Sequence, residues 1–141
     1  MSDQTTRLVL SAVLLLHGLG HGGALGALVW LRMRPGSNTG AWRAARSWLL
    51  PGLPEERAAL LASAFWIVSM VGFVATVAAF SGFLLPGDAW RPLAVGSAVV
   101  SATGIVLFFG TWPIFNTLAA LGVNVAVLVA LLALHWPAGT I

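Results

Sequence analysis

Residues Leu14 to Trp30 read LLLHGLGHGGALGALVW. The stretch is apolar enough to dissolve in lipid, yet it carries two imidazoles, His17 and His21, among five glycines. Extended to about Leu8–Leu31, it is long enough for a helix that crosses about 30 Å of hydrocarbon, which takes roughly 20 apolar residues. Three more stretches meet the same requirement: about Ala58–Leu85, Trp90–Phe109 and Ile114–Trp136. The expectation is an all-α, four-transmembrane-helix bundle forming a single membrane domain over residues 1–141.

Composition supports this reading. Of 141 residues, 59% are hydrophobic and 8% charged, with a mean hydropathy of +0.94, which leaves too little polar surface to cover a water-soluble globule. The net charge of +3 comes from arginines at the ends of apolar runs. No basic stripe forms, so the high pI is no argument for nucleic acid. Without cysteine the chain has no disulfide, thiolate metal site or cysteine nucleophile.

The punctuation between spans is consistent. Pro54-Glu55-Glu56, Asp88 and Thr111-Trp112-Pro113 suit helix starts, where proline fits the first turn and acids favour the N-terminal dipole. Pro86-Gly87 and Gly110 suit helix stops. Arg32, Arg34, Arg43, Arg46 and Arg57 cluster around the first loop, against Arg7 and Arg91 on the opposite side. By the positive-inside bias that loop is expected in the cytoplasm and both termini outside. The absence of lysine beside abundant Ala and Gly is the bias of a GC-rich bacterial genome, so the expected setting is a bacterial cytoplasmic membrane. Trp30, Trp90, Trp112 and Trp136 fall near span ends, where an amphipathic ring prefers the interface. A cleaved leader built on Leu8–Leu16 is disfavoured, because its n-region balances one Arg with one Asp and the chain continues as a span exit, LVWLRMR.

Within the first loop, PGSNTG (35–40) reads as a turn and WRAARSWLL (42–50) as a short amphipathic interfacial helix. At 100° per residue the latter gathers Trp42, Ala45, Trp48 and Leu49 on one side and Arg43, Arg46 and Ser47 on the other. Trp42, Arg43, Arg46 and Trp48 are therefore the candidate interfacial residues, lying against membrane lipids or an anionic headgroup.

No Asp, Glu, Lys or Arg falls at the centre of a span, which weakens a transporter reading. His17 and His21, four residues apart, share one helix face about 6 Å apart along the axis. That spacing can place two nitrogens on one metal, but HGLGH has glycine where the zinc-protease motif has its glutamate base. Two histidines are also too few for a zinc site, which takes three or four protein ligands. Haem needs axial ligands from opposite sides, and His135 lies at the wrong depth to face His17. No cofactor is favoured, and metal or haem would require further ligands, as from a second copy of the chain.

Asn124 falls at the depth of the two histidines and is their expected hydrogen-bonding neighbour, with Asn116 on the same broad face of the fourth span. Ser69, Thr76, Ser97 and Ser101 are candidates for the same polar seam. Gly18, Gly22 and Gly26 recur every four residues, a small-xxx-small pattern that lets helices approach closely in lipid. Helix packing with interhelical hydrogen bonds is thus the leading reading of His17 and His21. Binding of a metal, haem, quinone or other lipophilic ligand comes second, and proton transfer third.

The segments LLHGLGH, WRPLAVGSAVVSATGI and LGVNVAVLVALL resemble an uncharacterised group of small bacterial four-span integral membrane proteins with an H-G-x-x-H-like first helix. The resemblance covers about half of the chain. It implies a four-helix membrane fold, with His17, Gly18, His21 and Asn124 at the matching positions, and carries no catalytic role. The functional expectation is a non-catalytic accessory or oligomeric component with a His/Asn polar centre, associating with itself or a membrane partner. A ligand-binding redox protein and a small-molecule transporter are the alternatives.

Overall fold

The computed structural model describes residues 3–34 and 43–136. Four α-helices form among the described residues: α1 (Asp3–Met33), α2 (Glu55–Phe80), α3 (Trp90–Leu107), which a 3-10 turn at Gly87–Ala89 precedes, and α4 (Ile114–Leu128), which continues through a π-helical turn at Val129–Ala133. There is no strand among the described residues. The segments Gln4–Met33, Glu55–Phe80, Gly87–Leu107 and Ile114–Ala133 are each long and apolar enough to cross a membrane. Leucines and valines are exposed along all four, as lipid-facing surface requires.

Helix ends follow local chemistry. Pro54 and Pro113 cap α2 and α4 in extended backbone geometry, and Glu55 and Glu56 fill the first turn of α2. The second span was expected to run to Leu85, but α2 stops at Phe80. Gly82 adopts φ +66°, its N–H donates to Ala79 O, and the Phe83 N–H reaches back to Ala78 O. This is the Schellman arrangement, in which a left-handed glycine lets the chain turn back on its own last carbonyls. Glycine chemistry therefore ends the helix before Pro86 can. At the same end Arg7 donates to Phe80 O at 3.0 Å and lies over the Phe80 ring, placing a cation at the negative end of α2.

Residues 43–50 form no helix, so the expected amphipathic interfacial helix is corrected; Trp42 lies outside the described residues. The segment is an irregular strap across one end of the bundle. Its backbone groups bond outside any helix: Arg43 N–H donates to Thr111 O, and Leu50 N–H to Ser47 Oγ. Ala45, expected on the lipid side, is buried against Ala24, Ala58, Trp66, Ile105, Phe108 and Trp112. Trp48 stays exposed but donates from Nε1 to Val106 O at 2.6 Å, satisfying a carbonyl in the last turn of α3. Docking of these groups outweighs the local helical pattern.

The core has three parts. One lies at the strap end; a second, around Phe80, Trp90 and Leu131, lies at the opposite end; Leu14, Phe73 and Ala98 pack between them. Helix α1 packs on α2, α2 on α3 and α3 on α4, whereas α1 and α4 do not pack closely along their lengths. Trp90 and Trp112, expected at the lipid interface, turn inward, Trp90 edge-on to Phe80 and Trp112 against Trp66.

Candidate functional site

Four polar residues, His17, His21, Ser101 and Asn124, meet inside the bundle. His17 Nε2 lies 2.8 Å from Asn124 Oδ1, Asn124 Nδ2–H donates to Ser101 Oγ at 2.7 Å, and Ser101 Oγ lies 2.9 Å from His21 Nε2. The path starts and ends on α1, passing through α4 and α3. Asn124, Ser101 and His21 are at most 1% exposed, and His17 is half-buried.

With the Asn124 Nδ2–H directed at Ser101, the donors and acceptors can run in a single sense along the path. A carboxamide oxygen only accepts, so His17 Nε2 carries its proton and donates to Asn124. Ser101 accepts from Asn124, and its own O–H, 2.9 Å from His21 Nε2, satisfies that nitrogen when it is given there. His17 is then the neutral Nε2–H tautomer and His21 the neutral Nδ1–H tautomer. His21 Nδ1 is buried with no hydrogen-bond partner, and no bond from His17 Nδ1 is present among the described residues.

Aromatic rings fix the imidazoles. Phe73 lies edge-on to His17 at 4.7 Å and parallel to His21 at 6.4 Å, and Trp112 stands 5.3 Å from His21. The two imidazoles are themselves edge to face at 5.2 Å. Among the described residues no three His, Cys, Asp or Glu side chains group together as metal ligands.

Asn116 is exposed and stands apart from the path, on the wall of a groove between α1 and α4. A Cβ on Gly18 would sit 3.0 Å from Phe73 Cβ and one on Gly22 3.1 Å from Met70 Sδ, so both lie at the α1–α2 contact; Gly26 has open space there. Arg43 and Arg46 are exposed on the strap, and Arg46 pairs with Glu55 at 3.4 Å. Of the four hydroxyls considered for the seam, Ser69, Thr76 and Ser97 bond carbonyls one turn back in their own helices, and Ser101 alone joins the histidines.

Sequence reasoning missed two close contacts. A Cβ on Gly104 would fall 2.7 Å from Phe65 Cβ, and one on Gly72 would clash with Ser97. Both glycines seat α3 against α2, and neither belongs to an evident repeat. It also missed Trp112 as a wall of the site, because its position at a span end suggested an interfacial ring.

This fold and its apolar helices define a small polytopic membrane protein. Comparison with protein-family models, curated proteins and solved structures returns no match.

Proposed function

We propose that the chain is a non-catalytic accessory or oligomeric component of a bacterial cytoplasmic membrane, whose histidine centre holds three helices in register. The observation that carries this reading is the engagement of both Nε2 atoms by Asn124 and Ser101 within one chain. Polar side chains that bond across helices act as glue where lipid provides no hydrophobic drive for helix association. The hydroxyls of Ser69, Thr76 and Ser97 are bonded within their own helices, which favours a structural role for the polar seam over a nucleophilic one.

The strap end is proposed to face the cytoplasm, with both termini outside. Arg32, Arg34, Arg43, Arg46 and Arg57 flank or lie in the first loop, and Arg7 and Arg91 mark the other end. Association with a second copy or a membrane partner belongs to the same reading, and cross-linking in native membranes reads it.

A double-mutant cycle on His17→Ala and Asn124→Ala tests the function of the centre. Unfolding in detergent is expected to give a coupling of about 0.6 to 1.7 kcal/mol, the scale of interhelical hydrogen bonds in membranes. Purified protein is expected to show no visible absorption band. Additive losses, or a Soret band or stoichiometric metal removed by His17→Ala, would overturn the reading.

A further inference from the structure

On an interfacial helix Arg43 and Arg46 would share one polar face turned to the headgroups; on the irregular strap they stand differently. Together with Ala44 they line a cavity of about 430 Å³, whose opposite wall is the turn between α3 and α4 at Phe109, Gly110 and Thr111. This volume is within the range of small-molecule pockets, roughly 300 to 1,000 Å³. Two backbone bonds hold the walls together. Arg43 N–H donates to Thr111 O at 3.0 Å and joins strap to turn, and Thr111 N–H donates to Phe108 O at 3.1 Å, closing the turn that Gly110 makes at φ +90°. The cavity is thus a fixed backbone frame that carries two long cationic side chains.

The charge on this frame has one sign. Arg43 makes no side-chain hydrogen bond or ion pair among the described residues. Arg46 pairs with Glu55 at 3.4 Å, but the two side chains are 82% and 56% exposed, and a pair so open to solvent holds its partners weakly. Three residues of chain separate the arginines, so their Cα atoms lie at most about 11 Å apart, a span that two guanidinium groups can close around one anion. The height of the cavity is also defined. Helix α3 ends at Leu107 and α4 begins at Ile114, so the turn between them sits where two spans leave the hydrocarbon. There Phe109, exposed, gives the cavity an apolar wall, and Trp48 is exposed on the same strap. Aromatic rings at this level belong to the headgroup region, where anionic lipids attract arginine.

We propose that this cavity binds the phosphate group of an anionic phospholipid, with Arg43 and Arg46 on the phosphate oxygens and Phe109 against the apolar part of the lipid. A planar guanidinium gives two parallel N–H groups to a phosphate, so two arginines can serve all of its free oxygens. Glu55 is the anion that the phosphate displaces from Arg46. Free phosphate offers the same oxygens, but it leaves Phe109 without an apolar partner, and the lipid satisfies both walls at once. The site is separate from the histidine centre, and it holds whichever side of the membrane the strap faces.

The chain has no cysteine, so Ala44→Cys places a single reporter thiol in the cavity lining. The test follows its reaction with uncharged N-ethylmaleimide, using the full chain in phosphatidylcholine nanodiscs with increasing phosphatidylglycerol or, separately, with inorganic phosphate. Leu49→Cys, on the strap but outside the lining, corrects for the potential of the lipid surface. Saturable protection of the Ala44→Cys thiol by phosphatidylglycerol, beyond any slowing of Leu49→Cys, is expected, with inorganic phosphate giving none. Arg43→Gln, which keeps the backbone bond to Thr111 O, and Arg46→Gln are each expected to weaken that protection about tenfold, as loss of a hydrogen bond to a charged group does. Arg57→Gln, exposed at the same end but outside the lining, is expected to leave it unchanged. Both cavity arginines are exposed, and an unchanged unfolding temperature verifies that their variants fold. Equal slowing of the two thiols, or equal weakening by Arg57→Gln, would mean general attraction to a charged surface and would overturn the proposal. Protection by inorganic phosphate as strong as by phosphatidylglycerol would overturn the lipid as its source.

Discussion

Ser97 and Ser101 are one turn apart on α3, and the difference between them shows what the polar centre demands. Ser97 Oγ donates to Leu93 O in its own helix, so Ser97→Ala removes a donor from a carbonyl within the helix ladder. It is expected to cost at most about 1 kcal/mol in detergent unfolding. Ser101→Ala strands Asn124 Nδ2–H and His21 Nε2, both buried, and is expected to cost about 1 to 3 kcal/mol. Equal losses would deny Ser101 its place in the path. The pairing of His17 with Asn124 was legible because depth can be counted along apolar spans at a fixed rise per residue. The choice of Ser101 over Ser69, Thr76 and Ser97 was not, since a hydroxyl in a helix has its own backbone carbonyl as an alternative acceptor and only the packing decides between them.

At the scale of elements, the four spans were readable from apolar length and the starts of α2 and α4 from proline and acid positions. What was not readable depended on contacts between distant segments. The strap has the periodicity of an amphipathic helix, yet Ala45 is 1% exposed inside the core. Ala45→Leu is therefore expected to destabilise by about 1 to 3 kcal/mol through overpacking, where a lipid-facing alanine would accept the change with little effect. Glycine spacing in α1 drew attention to Gly18 and Gly22, where a Cβ would meet Phe73 and Met70, but the tightest approaches belong to Gly72 and Gly104 between α2 and α3. Gly104→Ala presses on Phe65 Cβ, which cannot rotate away, and is expected to cost about 1 to 3 kcal/mol. Gly26→Ala meets open space and is expected to be neutral or to stabilise by up to about 1 kcal/mol through helix propensity. Thermal unfolding in detergent ranks the three variants.

Across the whole molecule, one end carries the strap and the arginine-rich first loop, and the other carries the Arg7 contact with the end of α2. The chain has no cysteine, so single cysteines report sidedness directly. With the strap end in the cytoplasm, Leu49→Cys, at an exposed position, is expected to react with an impermeant maleimide only after cells are opened. Phe83→Cys, exposed at the other end, is expected to react in intact cells. The reverse pattern would invert the orientation. Between these ends, three of the four helices are tied by one directional path of hydrogen bonds from His17 through Asn124 and Ser101 to His21. With the Ser101 O–H given to His21 Nε2, the two imidazoles take opposite neutral tautomers. The most direct test is 15N NMR of the two histidine side chains in lipid. One Nε2–H and one Nδ1–H tautomer, both changed by Asn124→Leu, is the predicted result; identical tautomers, or signals indifferent to Asn124, would contradict it.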